Sequence, residues 1–227
     1  MITVDLEQSS IRELNQRLHA LPADTNETAW KVVNPKGAHS LAAGLTLPIS
    51  VEVEGHVGYY CGGMNQQADI TVVGHAGQGL GENIMSGSIR VTGNASQSAA
   101  ASGHGGLVVI EGDASSRCGI SMKGVDIVVG GSVGHMSAFM AQAGHLVVCG
   151  DAGPDLGDSI YEAVIYLRGK VESLGSDCVE KKMTAAHLKT LGALLKRAGI
   201  EADPKDFRRY GSARELYNFQ IDKVGSY

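Results

Sequence analysis

Two histidines, His56 and His75, stand 19 residues apart, each directly after a glycine. Imidazoles held one strand spacing apart, about 5 Å, have the geometry to share a divalent metal. The same interval continues through Asn94, Asp113, Ser132, Asp151 and Lys170. That run mixes neutral, acidic and cationic side chains, so it reads as a polar corner facing water rather than a ligand set. The four cysteines, Cys61, Cys118, Cys149 and Cys178, contain no CxxC pair, which argues against a redox dithiol or a zinc knuckle. Gly74-His75-Ala76-Gly77-Gln78-Gly79-Leu80-Gly81 has the composition of a phosphate loop. Its spacing is not GxGxxG, and no helical pattern follows to supply a dipole. Asp113, Asp126, Asp151, Asp155 and Asp158, with Arg117 and Lys123, pair at no diagnostic spacing and read as solvated surface. No catalytic, cofactor-binding or metal-ligating residue is therefore assigned. Bulky side chains cluster twice, at Tyr59, Tyr60 and Met64 and at Met136, Phe139 and Met140. They serve either as packing under a terminal cap or as a contact surface for partner subunits.

The elements that place these residues follow from a strict repeat. Gly55, Gly74, Gly93, Gly112, Gly131, Gly150 and Gly169 succeed one another every 19 residues. Four residues before each stand Val51, Ile70, Ile89, Val108, Ile127, Leu146 and Ile165. Two before stand Val53, Val72, Val91, Ile110, Val129, Val148 and Leu167; two after stand Val57, Ala76, Ala95, Ala114, Val133, Ala152 and Val171. Apolar residues at every second position mark a strand with one buried face. Seven residues after the first six glycines stand Gly62, Gly81, Ala100, Gly119, Ala138 and Gly157, all tiny. A 19-residue unit has no room for a crossover helix. Stacked coils that turn their apolar columns into interior ladders remain: an all-β, right-handed parallel β-helix of about seven coils. The composition agrees. Glycine is 31 of 227 residues, about double the ordinary ~7%, while proline is only five.

An open β-helix exposes two ends, so caps are expected. Ser10-Ile11-Arg12-Glu13 is a capping box leading into Leu14 and Leu18, which predicts a short helix ending near Pro22. Residues 30–44 read as a degenerate coil in which Val32 holds the first apolar column and Asn34 breaks the second. Thr184 to Ala198 reads as a helix stopped by Gly199, and Ser212 to Asn218 as another short one. The expected organisation is residues 1–48 as an N-terminal helix and capping coil, 49–175 as β-helix and 176–227 as a helical cap, with the helices covering the two ends. The net charge is −5 and no basic tract occurs, so no nucleic-acid or membrane partner is expected. The acidic N-terminus and the absence of a long apolar run point to a cytoplasmic protein with free thiols.

The coil pattern resembles the C-terminal β-helical (GXGXG) domain of glutamate synthase and the corresponding β-helical chain of formylmethanofuran dehydrogenase. Several segments are similar to the small glutamate-synthase-like subunit of N-methylglutamate synthase (methylamine–glutamate N-methyltransferase). They are Asn34-Pro35-Lys36-Gly37-Ala38-His39, Gly55-His56-Val57-Gly58-Tyr59-Tyr60, Gly119 to Asp126, Gly134 to Ala141 and Phe207 to Arg214. The resemblance implies a methylamine-utilisation complex that converts glutamate and methylamine to N-methylglutamate and ammonia. It implies two partners, a glutamine amidotransferase-like subunit and an FMN-binding glutamate-synthase-like subunit, with FMN in the latter and no cofactor in this chain. It implies a mainly structural role here. An amidotransferase of that class needs an N-terminal cysteine where Ile2 follows Met1, and a flavin barrel needs about 250 residues of its own. Two other readings stay open: the equivalent subunit of a glutamate synthase or formylmethanofuran dehydrogenase, and a stand-alone β-helix with a ligand groove.

Overall fold

The computed structural model describes residues 1–215 of the chain. Strands β1 (Ile2–Asp5) to β9 (Val164–Leu167) follow one another in sequence order, each parallel to the last. Between them β2 is Ala29–Val33, β3 Ser50–Glu54, β4 Asp69–Val73, β5 Ser88–Val91, β6 Leu107–Ile110, β7 Lys123–Val129 and β8 Ala143–Val148. From β3 onward the predicted columns pair in register: Val51 with Ile70, Ile70 with Ile89, and so on to Leu146 with Ile165. A second ladder of single bridges runs Val57, Ala76, Ala95, Ala114, Val133, Ala152, Val171, which is the column two residues after each glycine. The first two columns are fully buried and merge into one continuous interior. Each valine or isoleucine sealed this way contributes about 1.5–3 kcal/mol.

The corner glycines are explained by close approach of the coil before. A Cβ on Gly112 would strike the Asn94 side chain and sit 2.9 Å from the Gly93 carbonyl oxygen. The small column seven residues on has a different cause. There the chain bends through alternate left-handed residues, as in Tyr60 (φ 62°), Gly62 (φ 64°) and Met64 (φ 55°). The middle residue of each such arc is also buried. Glycine suits it; Ala100 (φ 56°) and Ala138 (φ 57°) hold the same backbone at a steric cost.

The ends correct several expectations. The degenerate coil is a full one, and it stands two residues earlier than the repeat suggests. Trp30 and Val32 hold its two apolar columns, opposite Val51 and Val53. Ala38 nevertheless rejoins Val57, because the corner between them is two residues longer than in later coils. Ahead of it β1 adds a further parallel strand that the repeat does not announce, placing Ile2 on Trp30 and Val4 on Val32. Helix α1 (Ile11–His19) starts with the expected capping box, Ser10 and Glu13 each bonding the other's backbone N–H, and stops short of Pro22. It does cap the first coil. Leu14 and Leu18 are buried, and Asn15 bonds the Ser40 carbonyl and the Ala42 N–H.

Helix α2 (Ala185–Ala198) has the expected bounds, with Thr184 as N-cap and left-handed Gly199 as stop. It does not cover the far end. It lies on the outer face of the sheet, where Leu191, Leu194, Leu195 and Ala198 bury Val109, Val128, Val147 and Tyr166. The far end is closed by an antiparallel pair instead. Strand β11 (Arg208–Ser212) lies against β9, and β10 (Cys178–Lys181) lies outside β11. Tyr210 and Cys178 plug the interior there. Ser212 is thus a strand residue, and the part of the expected Ser212–Asn218 helix beyond residue 215 lies outside the described residues.

The two small-residue columns predict opposite mutational responses. Gly112→Ala should lower stability by about 1–3 kcal/mol through collision with the coil before. Ala100→Gly should leave stability unchanged or raise it, because it relieves a left-handed alanine. Thermal unfolding of the two variants measures both.

Candidate functional site

The corner histidines come together as their spacing predicts, with ring centroids 4.9 Å apart. What they do there excludes a metal pair. His56 Nδ1 accepts the His75 backbone N–H at 3.0 Å, and His75 Nδ1 accepts that of Asn94 at 2.8 Å. An imidazole that accepts at Nδ1 carries its proton on Nε2, so neither ring keeps a lone pair facing outward. The column then runs on by the same device. Asn94 accepts from Asp113, Asp113 from Ser132, Ser132 from Asp151, and Asp151 from Lys170. A mixed polar column is thus a ladder of side chains, each holding the backbone of the next coil.

The other candidates also resolve. Within Gly74–Gly81 the N–H groups of Ala76, Gly77, Gly79 and Gly81 are spent on carbonyls of neighbouring coils. They point along the solenoid axis and do not converge on a phosphate. Cys61 and Cys118 are fully buried, and burial pushes both thiols up to about 12. Cys178 rises to about 12 by burial, with Asp177 and Asp158 adding to it. Cys149, on the outer face of the sheet, is buried beneath α2, and its thiol is raised by that burial against the pull of Arg168. Protonated thiols are poor nucleophiles and poor ligands. Among the described residues no three His, Cys, Asp or Glu side chains group as a metal site.

The carboxylates are engaged in holding the structure. Asp158 accepts the Ser176 N–H and the Ser159 hydroxyl, and Asp155 faces His135 at 3.6 Å. Asp126 joins a cluster that the spacing argument passed over: it meets His145 Nδ1 at 2.8 Å and Arg197 at 3.2 Å. Asp126 and His145 are again 19 residues apart, so one more pass down the repeat reveals the pair. Arg197 comes from α2, so this cluster ties the helix to the sheet. At the other end of α2 the capping box uses His187 in place of an acid, its Nδ1 facing the Thr184 hydroxyl at 2.8 Å.

The remaining feature is the wall opposite the sheet. There the arcs stack in register: Tyr60 N–H bonds the Gln78 carbonyl, Gly79 that of Gln97, Ser98 that of Ser116, Arg117 that of His135 and Met136 that of Pro154. Neither bulky cluster lies under a cap. Tyr59 and Met64 are each 48% exposed on the first full repeat, with Met85 beside them at 45% on the next. Tyr59 and Tyr60 stack with centroids 5.5 Å apart. Met136, Phe139 and Met140 lie half-buried on the same wall four coils further on, about 19 Å away. Between the two patches the wall is built largely of Gln78, Gln97, Ser98, Ala101, Ser102, Ser116 and Ser121. This is a mainly polar strip that also carries Glu82 and Arg117, with an apolar patch at each end.

The architecture is that of a parallel β-solenoid. No family model matches the chain. It is 54% identical over 228 residues, the whole of both sequences, to "Protein GlxC" of Rhizobium meliloti (strain 1021). The chain belongs to the GlxC family.

The hydrogen bonds generate two predictions. His75→Asn should be tolerated, since Asn94 performs the same task one coil on, whereas His75→Leu should cost about 0.5–1.5 kcal/mol by handing the exposed Asn94 N–H to water. Urea unfolding separates the two. His187 has its pKa held below the ordinary 6.5, by partial burial first and then by Arg209 and His145. The unfolded chain therefore binds that proton first. The cap's contribution is whole above pH 6.5 and is lost as pH falls below it. Amide protection factors in the first turn of α2, taken against the intrinsic exchange rate at each pH, should fall on acidification, and His187→Gln should abolish that dependence.

Proposed function

We propose that the chain is the non-catalytic scaffold of a glutamate-synthase-related complex of the N-methylglutamate synthase type. In this reading it holds an amidotransferase-like subunit and an FMN-binding subunit in register in the cytoplasm, while they convert glutamate and methylamine to N-methylglutamate and ammonia. FMN belongs to the partner. Here the space inside the coils is filled by valine, isoleucine and alanine side chains and offers an isoalloxazine ring no cradle. The observation that carries the reading is a wall bearing large aromatic and methionine side chains at two heights, exposed at Tyr59, Met64 and Met85 and half-buried at Met136, Phe139 and Met140. Large apolar side chains left half in water on a surface of serine and glutamine are the composition of a docking core with a polar surround. Full-length kinship to GlxC and the resemblance of the coil motifs add to it. Among the described residues no helix is long and apolar enough to cross a membrane.

The test is reconstitution of the three chains. N-methylglutamate formation should fall at least tenfold when this chain is omitted. Phe139→Ser combined with Met140→Ser should keep the β-helix circular dichroism but release the chain from the complex on size exclusion. Full activity of the partners without it would overturn the proposal.

A further inference from the structure

Among the described residues the eleven-stranded sheet has two free edges, and they differ. One is β1, whose neighbourhood carries Asp5 and Glu7, already engaged by Asn34 and Lys36. The other is β10, which pairs only with β11 and is covered on its far side by no other described element. Its Val179 is 38% exposed, a large apolar side chain on an open edge. Edge strands that are left flat and uncovered accept a further strand, and proteins that avoid this shield them. Beside this edge lies an open groove of about 450 Å³ lined by Lys181, Lys182, Arg208 and Arg209, with Met183 and Phe207 as its apolar part and Glu180 as its one acid. No described acid lies within ion-pair distance of Lys181 or Lys182; Arg208 meets Glu180 at 3.9 Å and donates to the Gly169 carbonyl, and Arg209 donates to the Lys182 carbonyl, which leaves the charge of both guanidiniums largely unneutralised. The charge is also polarised along the chain. Residues 1–163 hold seven Lys and Arg against sixteen Asp and Glu, net −9, whereas residues 164–215 hold eleven against seven, net +4.

We propose that the open edge of β10 docks an extended acidic segment of a partner protein, which adds to the sheet as a further strand while its carboxylates meet Lys181, Lys182, Arg208 and Arg209. This rests on the scaffold reading and names the chemistry of one of its contacts. Main-chain pairing supplies affinity and the cations supply the choice of partner. A second copy fits less well. Pairing β10 with β10 brings like charges together, and pairing it with the β1 of another copy is a head-to-tail contact that does not close.

The probe is a fluorescein-labelled octapeptide of paired glutamates and valines (Glu-Glu-Val-Val twice), which puts carboxylates on both faces of the added strand to meet Lys181 and Arg209 on one and Lys182 and Arg208 on the other, titrated into the full chain by anisotropy at low salt. Binding should weaken at least tenfold in 0.5 M salt, at least tenfold in the Lys181→Glu, Lys182→Glu double variant, and as much again when alternate peptide amides are N-methylated. Hydrogen exchange should be fast at β10 in the free chain and slow with peptide, with no change at β1. The proposal is overturned if the peptide does not bind, or if the lysine–valine peptide or a short uridine RNA binds as well. It is overturned equally if the N-methylated peptide is unaffected, or if β10 is already protected in the free chain by its own tail or by self-association. Adding the double variant to the reconstituted complex separates the two readings. Loss of activity on omitting the chain supports the scaffold, and an unchanged complex with the double variant then overturns the edge alone.

Discussion

Every coil hangs on hydrogen bonds to its two neighbours, and that stacking sets the rest. Backbone groups along the solenoid point up and down the axis to the coils on either side. Coils must therefore lie at strand spacing, and whatever projects toward a neighbour at a corner must be removed. The glycine column follows from that constraint, and so does the strict 19-residue interval, since one inserted residue flips a strand's apolar set to the wrong face. A chain bound to this geometry gives up deep clefts and gains long, straight, rigid walls.

Much of this is legible in the sequence because a repeat multiplies weak signals. Seven coincident glycines fix the register; the apolar columns fix the interior; the capping residues Ser10, Thr184 and Gly199 fix the helix ends. What is not legible lies where the repeat stops. Helix α2 is amphipathic, and an amphipathic stripe says that a face is buried without saying against what. The sheet's outer residues become bulky and apolar from β6 onward, at Val109, Val128, Val147 and Tyr166, and this is where α2 settles. That change in an outward column is present in the sequence, but it gains meaning only once the helix is seen to lie there. The corner before Ala38, two residues longer than in later coils, and the short β1 have no repeated partner to announce them.

The candidate surfaces show the same division. The corner column is readable as polar, but its purpose depends on which atom accepts, and only the fold shows Nδ1 turned to the next coil. The bulky residues are conspicuous against a background of glycine, serine and alanine, yet their exposure has to be seen. The basic groove joins Lys181 and Lys182 to Arg208 and Arg209, and only the antiparallel return of β11 brings them side by side.

The corner ladder also has a direction. Each side chain accepts from the coil that follows, and the series ends at Lys170, whose ammonium has no lone pair to offer. An extra coil appended there would meet no acceptor at this corner. Growth by copying an internal unit is a different matter, because a coil bearing histidine, asparagine, aspartate or serine at the corner fits between any two others. At this corner the solenoid thus accepts a further unit in its middle and refuses one at its end: a polymer of coils with its own terminator.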